Sequence, residues 1–280
     1  MGTDHRRAPA FVVLAALALP LILVSAPGTA AGTEQADYSL AETSYAGSQI
    51  ALREGVHGSP ADARADTPGS EVEQTLGHDV SGHQGPVDWL FAANAGAKFA
   101  YVKATEGTGF VNPQYHQQYD GAHDNGLIRG AYHFARPDIS GGAEQAEYFI
   151  ANGGAWRGDG RTLPGALDVE YNPYGDACYG KDAAAMTAWI TDFTRTYLAK
   201  MGRSALIYTS TSWWKLCTGN NSGFGNTNPL WLARYAPEIG ELPAGWEKQS
   251  IWQFADKGGL PGDQNYYNGP MARVQALATG

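Results

Sequence analysis

Two acidic side chains two residues apart, Asp168 and Glu170 in Ala166-Leu167-Asp168-Val169-Glu170, offer the most chemistry in this chain. In an extended strand, residues i and i+2 face the same way. The two carboxyls therefore project together, with Cα atoms about 6 to 7 Å apart at ~3.3 Å per residue. Like charges on one face repel, and burying them raises the pKa of at least one. A protonated acid beside an ionised one is the pair that glycoside hydrolysis uses. Two more acids sit in comparable settings, Asp79 in His78-Asp79-Val80-Ser81 and Asp263 in Gly262-Asp263-Gln264-Asn265. The alternative is that Asp168 and Glu170 form structural salt bridges, although no base adjoins them in sequence.

Aromatic residues favour the catalytic reading. Tyr132, Tyr171, Tyr208, Trp231 and Tyr235, with Trp213 and Trp252, fall at or just beyond the same strand ends. Flat aromatic faces rimmed by hydrogen-bonding groups suit pyranose rings. Other chemistries have weaker signals. His78 and His83 are spaced i, i+5, which fits no common zinc pattern. Asp256 to Asp263 lacks the alternating acids and closing Glu of a calcium loop. Gly107-Thr108-Gly109 lacks the third Gly of a dinucleotide fingerprint, and there is no G-x-S-x-G elbow. No cofactor and no metal is expected.

The elements that must position these acids are short β-rich runs alternating with helical patterns. Strands are expected at 76–80, 99–103, 130–134, 165–170, 205–209, 230–234 and 250–254. Helices are expected at 88–95, 113–125, 142–152, 182–201 and 271–278. Such alternation indicates parallel βα units, and so an α/β fold. The fit is a modified β/α barrel of eight strands with fewer helices in its second half; an open doubly wound sheet is the alternative. In barrels of this kind, catalytic groups stand at the C-terminal ends of strands.

The front of the chain reads differently. His5, Arg6 and Arg7 precede an apolar run from Phe11 to Ala26 and then small residues, the pattern of a secretory signal peptide over 1–31. An uncleaved membrane anchor is the alternative, but the run is interrupted by Pro20 and is shorter than the ~20 residues a span needs. Residues 32–75 carry eight acids against Arg53 and Arg64, with no Trp or Phe. That composition predicts an acidic, disordered linker or pro-segment. All eight tryptophans lie in 76–280, the expected folded domain. The chain of 280 residues has a net charge of −9, which disfavours a nucleic-acid partner. Once the leader is cleaved, no membrane association is expected, and the protein should be a secreted monomer. Two cysteines in an exported chain favour one disulfide, Cys178 to Cys217, with buried free thiols as the alternative.

Five motifs in order carry a closer likeness. They are Gly77-His78-Asp79-Val80-Ser81, Phe99-Ala100-Tyr101-Val102-Lys103-Ala104-Thr105-Glu106-Gly107, Gly130-Ala131-Tyr132-His133-Phe134, Leu167-Asp168-Val169-Glu170 and Asp263-Gln264-Asn265-Tyr266-Tyr267-Asn268-Gly269. Together they resemble the Chalaropsis-type lysozymes, the muramidases of glycoside hydrolase family 25. The resemblance implies a flattened barrel that cleaves the β-1,4 bond between N-acetylmuramic acid and N-acetylglucosamine in bacterial peptidoglycan, with retention. It implies Glu170 as general acid, Asp168 as partner carboxylate, and Asp79 and Asp263 as further acids of the cleft. The three neighbouring acids are expected to raise the pKa of Glu170. A catalytically inert wall-binding barrel and a metal-dependent amidase are the competing classes.

Overall fold

The computed structural model describes residues 1–3, 36–58 and 73–280. The expected signal peptide therefore lies outside the described residues, apart from its first three. Among the described residues, no helix is long and apolar enough to cross a membrane.

The first element is a short helix, α1 (Ser48–Glu54), opened and closed by Gly47 and Gly55 at positive φ. Strand and helix then alternate through β1 (Thr75–Val80), α2 (Trp89–Asn94), β2 (Phe99–Glu106), the two-residue β3 (Phe110–Val111), α3 (Tyr115–Asp124), β4 (Ile128–Phe134) and α4 (Gly142–Phe149). The second half continues with β5 (Ala166–Asp168), α5 (Ala183–Met201), β6 (Leu206–Thr209), α6 (Thr211–Thr218), β7 (Leu230–Ala233), β8 (Ile251–Ala255), β9 (Asp263–Tyr267) and α7 (Met271–Thr279). Helix starts carry side-chain caps: Asp88 accepts from the Phe91 amide, Asp182 from Ala185 and Ser210 from Trp213. Helix α6 is an addition to the elements expected from the sequence. Its aromatic pair Trp213-Trp214 leads into a Gly- and Asn-rich loop, so the helical pattern is too short to stand out.

Pairing runs β1-β9-β8-β7-β6-β5-β4-β2, and β1 pairs with β2 to close the ring. Eight strands thus form a barrel, with β3 an appendage on β2. All neighbours are parallel except β9, which runs antiparallel to both β1 and β8. This is the α/β barrel with few helices expected from the sequence, and the open-sheet alternative is excluded by the β1–β2 pairing.

Strand register decides which side chains point inward. Between Lys103 and Thr105, β2 carries an extra residue relative to β4. Such a bulge reverses the facing of the residues after it. Thr105 accordingly turns to His133, which packs on Phe149 of α4 and Phe193 of α5. Glu106 turns to the barrel interior, where it meets Lys103 at 2.6 Å. In β8, Phe254 is an extra residue relative to β9, and Trp252 and Phe254 flank the inward-facing Gln253. The two rings pack together in an outer cluster, and Gln253 points into the barrel.

The compact unit spans Ala36–Gly280. Residues 36–58, expected to be disordered, are ordered and pack on the barrel: Ala46 and Ile50 are wholly buried, and Ser44 is only 1% exposed. Composition misleads here because small side chains and hydrogen-bonded backbone make much of the contact, with Ile50 as one large apolar anchor. Cys178, in the loop after β5, is bonded to Cys217 of α6, as expected.

Candidate active site

Strand register brings the acids to one rim of the barrel. Asp79, near the end of parallel β1, pairs across the sheet with Asp263, the first residue of antiparallel β9. Reversing β9 is what puts its N-terminal acid at the end of the barrel where the parallel strands finish. Asp168 ends β5, opposite Phe134 of β4 and Tyr208 of β6, and Glu170 lies two residues further on. All four acids are buried, none more than 2% exposed.

Gln253 joins two of them. Its Nε2 donates to Asp79 Oδ2 at 2.9 Å and to Asp263 Oδ2 at 3.2 Å. Asn265 Nδ2 donates to the same Asp79 oxygen at 2.6 Å. Glu170 accepts three backbone N–H groups, from Gly47 at 2.7 Å, Gln49 at 3.0 Å and Ile50 at 3.1 Å. Asp168 differs from all of these, since neither of its oxygens has a hydrogen-bond partner among the described residues. A buried carboxyl without donors is disfavoured as an anion.

Electrostatics follow from this burial. Glu170 is pushed up to about 8 by burial, against the pull of its three N–H donors and Lys103. Burial, rather than the neighbouring acids expected from the sequence, is the largest cause. Asp79 is pushed up to about 7 by burial, opposed by Gln253 and Asn265. Asp168 is raised well above the carboxylate range by burial and then by the charge of Glu170. Asp263 is raised by burial and then by Asp79. The four titrate as a set that holds protons near neutral pH.

The aromatic residues separate into layers. Trp231 is the hub of the barrel interior, with Tyr101 and Tyr208 at 4.8 Å and Tyr132 at 6.2 Å between ring centroids. Its Nε1 donates to Asn265 Oδ1 at 2.7 Å. Tyr208 and Tyr235 both donate to Gln253 Oε1 at 2.7 Å. Tyr132 accepts from the Ala46 amide, and Tyr171 donates to Glu54 at 3.3 Å. These five rings thus adjoin the acids or the segment lying over them. Trp213 and Trp252 do not: their indoles donate to Ala177 O and Arg234 O in the packing outside the barrel.

A second buried charge cluster flanks the acids. Glu106 meets Lys103, accepts from Tyr174 at 2.7 Å, and lies 3.7 Å from Arg136. Gln253 and Asn265 stand outside the sequence-based set, though a lone Gln inside Ile251-Trp252-Gln253-Phe254-Ala255 signals a buried polar role. The histidines assemble no site of their own. His78 donates from Nδ1 to Pro261 O, while His133 lies between Thr105 and Gln145. Among the described residues, no group of three or more potential ligands is arranged to hold a metal.

Comparison with known proteins adds to this geometry. The family described as glycosyl hydrolases family 25 matches residues 78–263. The N,O-diacetylmuramidase of a Chalaropsis species is 50% identical over 208 residues, which are 73% of this chain and 99% of that protein. Lysozyme M1 of Streptomyces globisporus is 40% identical over 282 residues, covering 97% of this chain and 95% of its own. The solved muramidase of Acremonium alcalophilum is 52% identical, with a TM-score of 0.73, over 74% of this chain and 99% of that one.

Proposed function

The chain belongs to glycosyl hydrolases family 25, and from that premise we propose that it is a secreted lysozyme that cleaves bacterial peptidoglycan between N-acetylmuramic acid and N-acetylglucosamine. The observation that carries this reading is the set Asp79, Asp168, Glu170 and Asp263, gathered and buried at one end of the barrel with every pKa raised.

Glu170 is the general acid. Held near pH 8, it keeps its proton at neutral pH and passes it to the glycosidic oxygen as the bond to the anomeric carbon breaks. Asp168, which no donor engages among the described residues, faces the positive charge that grows on the sugar and acts there as its carboxylate, the form that this charge and nearby Lys103 favour. It acts with retention, either as nucleophile at the anomeric carbon or by orienting the substrate's own acetamido group for that attack. Asp79 and Asp263, tied by Gln253, line the cleft and hold the sugar by hydrogen bonds. Tyr132, Tyr171, Tyr208, Trp231 and Tyr235 supply the walls and floor on which the rings rest. The enzyme works as a monomer outside the cell, with no cofactor.

A digest of purified peptidoglycan, reduced with borohydride and read by mass spectrometry, tests the reading. New muramitol ends without new free amines are expected. New amines or released acetate would overturn it in favour of amide or ester cleavage.

A further inference from the structure

The cleft just described is occupied by the protein's own chain. Residues 36–58 cross the rim where the four acids stand, and they bond to the groups assigned above to saccharide. We infer that this segment is a built-in inhibitor, so that the full chain is a latent enzyme activated when the segment leaves the cleft.

The contacts are specific to the catalytic groups. Both oxygens of Glu170 are engaged by N–H groups of Gly47, Gln49 and Ile50, which leaves neither free to face a glycosidic oxygen. Lys103 donates to the carbonyls of Ala41 at 2.8 Å and Ser44 at 2.6 Å. Ser44 Oγ donates to Glu106 at 2.6 Å, and Gln253 donates to Ala46 O at 3.0 Å. Groups of the segment thus use up the donors and acceptors that a sugar would use.

Sterics give the same result. Gly47 sits at φ 97° directly over Tyr235, Gln253 and Tyr208. A Cβ there would overlap the Tyr235 hydroxyl and lie 2.7 Å from Gln253 Oε1. Only a residue without a side chain lets the backbone descend so far into the cleft. Nothing as wide as a pyranose fits beneath it. Beyond the acids, Glu54 of α1 takes the Ser210 hydroxyl at 2.6 Å and so closes the far side.

The barrel does not need the segment to complete its sheet, because all eight strands of the closed ring lie between residues 75 and 267. A tethered segment has an effective concentration of about 1 mM. A dissociation constant of about 10 μM in trans is then enough to keep some 99% of the chain closed.

The inference rests on the proposed saccharide site, so its test carries a readout independent of turnover. A recognition sequence for a specific protease is inserted within residues 59–72 of the full chain. Rates of reducing-end release from peptidoglycan are measured before cleavage and after the freed peptide is removed. In parallel, binding of a soluble peptidoglycan tetrasaccharide is measured by calorimetry. Cleavage should raise the rate about 100-fold, and synthetic peptide 36–58 should reverse the gain. Gly47→Val, which needs no protease, should raise the rate of the uncut chain at least tenfold. Tetrasaccharide should bind the cut form and not the intact one. Equal affinity before and after cleavage, or rates within twofold across all three forms, would overturn the inference. If no form turns over peptidoglycan but only the cut form binds the saccharide, the occlusion stands and the muramidase reading falls.

Discussion

Reducing the Cys178–Cys217 bond should lower stability by a calculable amount without dismantling the fold. The bridge spans 39 residues in sequence, with Cα atoms 5.3 Å apart. Closing a loop of that size removes denatured-state entropy equivalent to about 4 kcal/mol at 25 °C. For a domain of this length, each kcal/mol moves the melting temperature by roughly 2–4 °C, so reduction should lower it by roughly 8–16 °C. The native loop has other restraints. Ala177 O accepts from Trp213 Nε1 at 3.2 Å and from the Asn172 amide at 3.3 Å, and both bonds survive reduction. The loss therefore belongs to the unfolded chain, and the reduced protein should stay folded at room temperature. Reduction is a cleaner perturbation than Cys217→Ser, because Cys217 is buried against the core and a hydroxyl there adds its own cost. Scanning calorimetry with and without reductant, with thiol titration to verify full reduction, reads the shift. A melting temperature unchanged within about 2 °C would refute the entropic account.

Other outcomes follow from the carboxylates. Glu170→Gln should cut the rate of the segment-free enzyme by about 10²–10⁴ with its melting temperature preserved, and near-full activity on cell walls would remove Glu170 from its role. Asp79→Asn and Asp263→Asn should each cost less, about tenfold, since Gln253 and Asn265 can still bond an amide oxygen. The raised values of Asp79, about 7, and Glu170, about 8, exceed those of an unfolded chain, so their contribution to stability is complete below pH ~4. It is lost as pH rises through 7 and 8. Buried neutral His78 and His133, held down at about 4 and about 3, act oppositely, their contribution falling away below pH ~6.5. The useful readout is therefore the melting-temperature difference between wild type and Glu170→Gln, which should shift in favour of the variant as pH rises from about 4 to about 8 and level off above that. A difference that moved the other way would contradict the assigned protonation. A chelator should leave the rate within about twofold, and a tenfold loss would require a metal role that this mechanism does not include.

Much of this architecture is legible in the residues. Strand positions follow from short β-branched and aromatic runs, and the i, i+2 spacing of Asp168 and Glu170 locates the principal acids before any fold is known. The bulge at Lys103/Thr105 is not legible, because a single extra residue leaves no trace in a strand whose eight residues are all buried. With it goes the inward turn of Glu106. The role of residues 36–58 is hidden for a different reason. Compositional rules weigh bulky apolar surface against chain entropy. This segment is ordered instead by bonds from its amides and carbonyls to buried charged groups, Glu170 and Lys103. The largest cause of the raised Glu170 value, burial, is also out of the sequence's reach, since it depends on the fold that closes around the strand end.

The antiparallel setting of β9 has a consequence for how the molecule comes into being. Asp263 and Asp79 are partners in register, yet nearly the whole barrel lies between them in sequence. The ring closes only when the last strand inserts between the first and the eighth, a pairing of very high sequence separation, and such closures slow folding. A chain emerging N-terminus first exposes the unpaired edges of β1 and β8 until residue 267 is available. Barrel closure and completion of the acid set are thus one kinetic event, and a protein truncated before Asp263 would lose both at once.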